Sequence, residues 1–168
     1  RAPGGRYMTL VDAPLPVYGR RSHLVRYLVV GYTLLICYAS WYPFHSWREP
    51  ADAWFAFVFA PWPRYYTLSD VMLNVLGYLP FGFLLALALL PRTDVRAGAV
   101  LATLAGTLLS FGMETVQQFM PARVSSNLDL LANSLGGMIG ALLAMTVGER
   151  WLLSGNLYRL RQRVFLAG

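Results

Sequence analysis

Long apolar runs separated by short polar or aromatic breaks dominate the chain from Leu24 onward. A helix needs about 20 mostly apolar residues to cross a bilayer. Four stretches reach that length, at 24–44, 70–90, 96–120 and 128–147. Proline closes three of them, at Pro43, Pro91 and Pro121, since its ring removes a donor and clashes with the preceding turn. Ser69, and either Ser126 or Asn127, suit the N-caps of the second and fourth runs. The pattern predicts an all-α polytopic membrane protein with four transmembrane helices. Segment 1–23 leads in, 24–147 forms the four-helix domain, and 148–168 returns to polar sequence as a tail.

Composition agrees with the pattern. Of 168 residues, 57% are hydrophobic and only 13% charged, against about 25% charged in soluble domains. The single cysteine, Cys37, excludes an intrachain disulfide, and His23 and His45 fall outside any metal-ligand spacing, so neither metal nor cofactor is expected. The first apolar run lacks a small-residue cleavage site and is not expected to be a signal peptide. The chain starts at Arg1 rather than Met, which suggests truncation or processing.

Charge adds direction. Every basic residue is arginine, and the net charge is +6. Eleven arginines (1, 6, 20, 21, 26, 92, 96, 150, 159, 161 and 163) fall on one side of a four-span serpentine, against Arg48, Arg64 and Arg123 on the other. The positive-inside rule then places both termini in the cytoplasm. Positive charge spread along span ends is explained by headgroups, so nucleic acid is not an expected partner. The loop 44–69 faces outward and is crowded with Trp47, Trp54, Phe55, Phe57, Phe59 and Trp62. A short interfacial or re-entrant helix is expected there, serving either as an aromatic belt or as a docking surface.

The same topology gathers polar residues at the outer ends of three spans. Asp70 and Asn74 open the second, Glu114, Gln117 and Gln118 close the third, and Asp129 and Asn133 open the fourth. Their spacings of three and four put each set on one helix face. Arg123, in the short loop between spans three and four, is expected to bridge Glu114 and Asp129 through its planar fork. Such a cluster is either a ligand site or hydrogen-bonding glue between helices. Gly136, Gly137 and Gly140, with Ala141 and Ala144, form a small-residue stripe suited to close helix packing, and Gly106 and Gly112 do the same in span three. Pro80, flanked by Gly77 and Gly82, predicts a kink in span two.

The segments SDVMLNVLGYLPFGFLLA and METVQQFMPARVSSNLDLLANSLGGMIGALLA resemble the VanZ-like membrane family. The family's marks fall on Asn74, Pro80, Gly82 and Phe83, then Glu114 and Gln118, Arg123, and finally Asp129, Asn133 and Gly136. The resemblance covers residues 70–144. It implies a protein of the bacterial cytoplasmic (inner) membrane. The family takes its name from an accessory protein of glycopeptide-antibiotic resistance, and similar domains occur beside envelope and exopolysaccharide genes.

Three functions are therefore weighed. The first is a small, non-catalytic accessory or scaffold subunit of a larger membrane complex, with Trp47, Trp54, Phe55 and Trp62 as contacts for other membrane proteins. The second is an envelope protein binding a lipid-linked or glycopeptide ligand at the outer leaflet, with Arg123 on the anionic head and Asn74, Gln118 and Asn133 beside it. The third is an intramembrane hydrolase with Glu114 as base and Asp70 or Asp129 as its partner. The chain has no Ser-His, Cys-His or His-metal spacing to support the third. Membrane lipids are partners in every case.

Overall fold

A computed structural model describes residues 18–44, 46–50, 52–90 and 92–148, so His45, most of the expected N-terminal segment and nearly all of the tail lie outside the described residues. It contains four long helices: α1 (Tyr18–Trp41), α2 (Leu68–Leu89), α3 (Val95–Gln117) and α4 (Asn127–Leu143), the last widening into a π turn over Ala144–Gly148. Each includes a stretch long and apolar enough to cross a membrane, at His23–Trp41, Leu68–Leu89, Val95–Gln117 and Asn127–Thr146. No strand occurs among the described residues. The protein is all-helical and polytopic, as the apolar pattern predicts.

Helix starts follow from capping chemistry. Helix α2 is capped by Thr67 rather than Ser69. The Thr67 hydroxyl accepts from the Asp70 amide at 3.1 Å, and the Asp70 carboxylate accepts from the Thr67 amide at 3.1 Å. This reciprocal box needs an acid or amide three residues after the cap. Thr67 has Asp70 there, whereas Ser69 would have Met72. Ser126 caps α4, accepting from the Leu128 amide at 3.1 Å. Asp94, which the apolar pattern does not mark, caps α3 through the amides of Arg96 and Ala97, both at 3.0 Å.

Helix α2 runs on through Pro80. The proline deprives the Leu76 carbonyl of its usual donor. One residue further on, the Tyr32 hydroxyl donates to the Gly77 carbonyl at 2.9 Å, tying α1 to this weakened turn.

The bundle is built around α2 and α4, which pack along most of their length, with α3 against both and α1 on the outside. Glycine makes the central contact possible. A Cβ on Gly136 would strike the Val75 carbonyl, one on Gly140 the Leu79 carbonyl, and one on Gly82 the backbone of Gly137. The GxxxG spacing is thus consumed inside the chain, with backbone lying directly on backbone. Gly106 meets only the Phe81 ring and Gly137 at ordinary distances, and Gly112 has open space beside it.

Two cores flank this seam. One is mostly alanine (Ala86, Ala88, Ala99, Ala102, Ala141 and Ala144), with Val25 and Leu87. The other joins Ile36, Tyr78, Phe81 and Met113. Helix α1 is the least covered, with 11% of its span window buried against 33–39% for the other three.

Among its described residues the aromatic loop forms one short helix, a single 3-10 turn over Ala56–Phe59 that ends at extended Ala60, ahead of Pro61 and Pro63, which cannot donate to a continuing helix. Phe57 is the anchor of the loop: it is 3% exposed and its ring lies 5.7 Å from that of Phe111, which Trp54 also meets edge-on at 6.0 Å. Backbone and side-chain bonds hold the loop at both flanks, from the Arg48 amide to the Phe119 carbonyl at 2.9 Å and from Asn127 Nδ2 to the Ala60 carbonyl at 2.7 Å.

Replacing Gly140 by alanine should cost about 1–3 kcal/mol, because the added methyl meets fixed backbone. Gly31→Ala, with nothing within 4 Å, should be neutral or slightly stabilising. Unfolding in mixed micelles, read by circular dichroism, checks the contrast.

Candidate functional site: the interhelical polar cluster

The polar residues at the loop-bearing end of the bundle separate into two tiers. The first lies between α2, α3 and α4. Asn74, one turn beyond Asp70, donates from Nδ2 to Asp129 Oδ1 at 2.7 Å and so joins α2 to α4. Asn133, one turn beyond Asp129, donates from Nδ2 to the Ser110 hydroxyl at 3.0 Å and joins α4 to α3. Both Asn133 and Ser110 are buried. Ser110 was not among the sequence-predicted residues. Its place four before Glu114, on the same helix face, is the signal that could have found it.

Glu114 is also buried, at 3% exposure. Its Oε2 accepts from the Ser126 amide at 2.9 Å, while its backbone carbonyl accepts from the Ser125 hydroxyl at 2.7 Å. The carboxylate therefore holds the tight loop between α3 and α4 and satisfies an amide at the start of α4 that the helix itself leaves open.

The second tier clasps α1. Gln117 Nε2 donates to the Ser40 carbonyl at 3.0 Å. One guanidinium nitrogen of Arg123 donates to the carbonyls of Ala39 at 3.0 Å and Tyr42 at 2.9 Å. The last carbonyls of a helix lack intrahelical donors and carry partial negative charge, so a cation at this position is favourable. The expected bridge from Arg123 to Glu114 and Asp129 is thus replaced. Among the described residues neither carboxylate forms an ion pair with it, because Glu114 is turned to Ser126 and Asp129 to Asn74.

The remaining expected members stand apart. Asp70 serves the cap of its own helix, and Gln118 forms only backbone hydrogen bonds among the described residues. Four buried polar atoms, one from each helix, lack a hydrogen-bond partner there: Trp41 Nε1, the Tyr78 hydroxyl, Thr115 Oγ1 and Asn133 Oδ1. The Tyr78 hydroxyl lies near Ser110 and Glu114 without forming a hydrogen bond of normal geometry. Of the expected partner contacts, Trp47, Trp54, Phe55 and Trp62 are all exposed.

Chemically, the cluster is a set of cross-links. Its carboxylates accept from amides, its amides donate to carboxylate, hydroxyl and carbonyl, and its arginine closes a helix end. No group of three metal-ligating side chains occurs among the described residues. Arg123→Met should free the end of α1 while leaving the α2–α4 seam intact. Hydrogen exchange should then quicken across 36–44 and stay unchanged across 72–84. Asn133→Ala, which cuts a bond between α3 and α4, should instead lower stability by about 0.6–2 kcal/mol.

A family model described as VanZ/LLP1 matches residues 8–148, reaching back across α1 and the aromatic loop. No curated protein and no solved structure matches the chain.

Proposed function

We propose, for a chain that belongs to the VanZ/LLP1 family and carries four membrane-spanning helices, the role of a small, non-catalytic accessory or scaffold subunit in a larger complex of the bacterial inner membrane. One observation carries the reading. Asn74, Ser110, Gln117, Asp129 and Asn133 are committed to bonds between helices and Arg123 to the end of α1, whereas the large apolar and aromatic side chains of α1 and the outer loop remain uncovered. The glycine seam is already filled from within. What the chain offers to another protein is therefore the flank of α1 and the tryptophans above it. Aromatic side chains of this kind dominate protein interfaces.

A ligand head held by Arg123 draws no support from a guanidinium bonded to two carbonyls. A hydrolytic role for Glu114 draws none from a buried carboxylate already holding a backbone amide. The arginine asymmetry supports cytoplasmic termini and an outward loop.

Trp54→Ala combined with Trp62→Ala should release the protein from its assembly on native gels of mild-detergent extracts, with helicity unchanged. Co-migration with stoichiometric partners after both truncations would overturn this surface. Orientation is checked in a Cys37→Ser background. Val124→Cys should react with an impermeant maleimide in intact cells, and Thr146→Cys only after permeabilisation.

A further inference from the structure

Immediately before α2 the outer loop forms a cleft of about 450 Å³ lined by Arg64, Tyr65, Tyr66, Thr67 and Asp70. Its walls are held from both sides. Upstream, Asn127 grips the Ala60 carbonyl and Pro61 and Pro63 restrict the chain; downstream, Thr67 and Asp70 lock each other in the capping box. Among the described residues the Arg64 side chain has no hydrogen bond or ion pair, and neither phenol hydroxyl has a partner. Tyr65 is 93% exposed and Tyr66 64%. Asp70 uses Oδ2 for the Thr67 amide, and its Oδ1 has no hydrogen-bond partner among the described residues.

Depth identifies the solvent that meets these groups. The stretch of α2 long and apolar enough to cross a membrane begins at Leu68 and runs for 22 residues, a length that matches a hydrocarbon core of about 30 Å and would set residues 64–67 at the level of the headgroups. A free guanidinium and paired tyrosines at that level are the usual equipment for meeting lipid heads. The cleft, however, carries one positive and one negative side chain. A purely anionic head would be attracted to Arg64 and repelled by Asp70. A head bearing both a phosphate and an ammonium satisfies both. The planar fork of Arg64 suits phosphate oxygens, with tyrosine and threonine hydroxyls able to add bonds. Asp70 can accept from an ammonium N–H, and the tyrosine faces attract the cation. A quaternary ammonium has no N–H to give the carboxylate.

We propose that this cleft is a lipid-headgroup site selective for a phosphate linked to a primary amine, as in phosphatidylethanolamine. The inference requires only that the helices span a membrane and is independent of the accessory-subunit reading.

The test is native mass spectrometry of the full chain released from nanodiscs holding equal amounts of phosphatidylethanolamine, phosphatidylcholine and phosphatidylglycerol. The retained lipid should favour phosphatidylethanolamine by about fivefold or more, as expected for charge-assisted hydrogen bonds. Arg64→Ala should abolish the preference. Asp70→Asn keeps an oxygen for the capping box, so the helix start should survive while the preference shifts towards phosphatidylglycerol. That shift is one a merely structural role for Asp70 would not produce. Equal retention of the three lipids, or a preference surviving both substitutions, would overturn the proposal. Retention of free phosphoethanolamine in place of the lipid, when the two are supplied in equal amounts, would overturn the assignment to a lipid.

Discussion

The approach of α2 to α4, backbone against backbone, is the contact from which the rest of the bundle is hung. In a bilayer, burying an apolar side chain against another helix gains little over leaving it in lipid, so association depends on close packing and hydrogen bonds. Gly82, Gly136 and Gly140 remove the side chains that would hold the two axes apart. Once the helices touch, Asn74 comes within 2.7 Å of Asp129, and a bond forms between two half-buried polar side chains.

Helices α3 and α1 are then added by different means. Helix α3 is joined through Ser110 and Asn133 and through the grip of Glu114 on the Ser126 amide at the cap of α4. Helix α1 shares less packing and is held by its end. Tyr32 reaches the Gly77 carbonyl, while Gln117 and Arg123 collect the carbonyls of Ser40, Ala39 and Tyr42. A polar group inside a membrane is costly when unpaired, and this economy explains why so many of the cluster's atoms are turned towards neighbouring helices.

The aromatic loop divides its labour in the same way. Phe57 enters the bundle against Phe111, and that anchor lets Trp47, Trp54 and Trp62 stay at the surface. The same anchoring, with the Asn127 bond to Ala60, holds the strand of chain that forms the Arg64 cleft. The proposed docking surface and the proposed headgroup cleft thus share one support.

By itself the sequence determined the number of spans, the helical class, the family and the glycine stripe, because these follow from hydrophobic length, local spacing and an ordered set of motif residues. It also brought Asp70, Asn74, Glu114, Arg123, Asp129 and Asn133 to one end of the bundle, since a serpentine leaves no other place for them. Only the tertiary structure decided their partners. Arg123 could meet either a carboxylate or a helix end, and the packing of α1 beside the α3–α4 loop settled that choice in favour of carbonyls. Thr67 displaced Ser69 as a cap because the reciprocal acid lies three residues after one and not the other. Pairings of this kind depend on distances of a few ångströms between separate helices, and periodicity along a single chain carries no information about them.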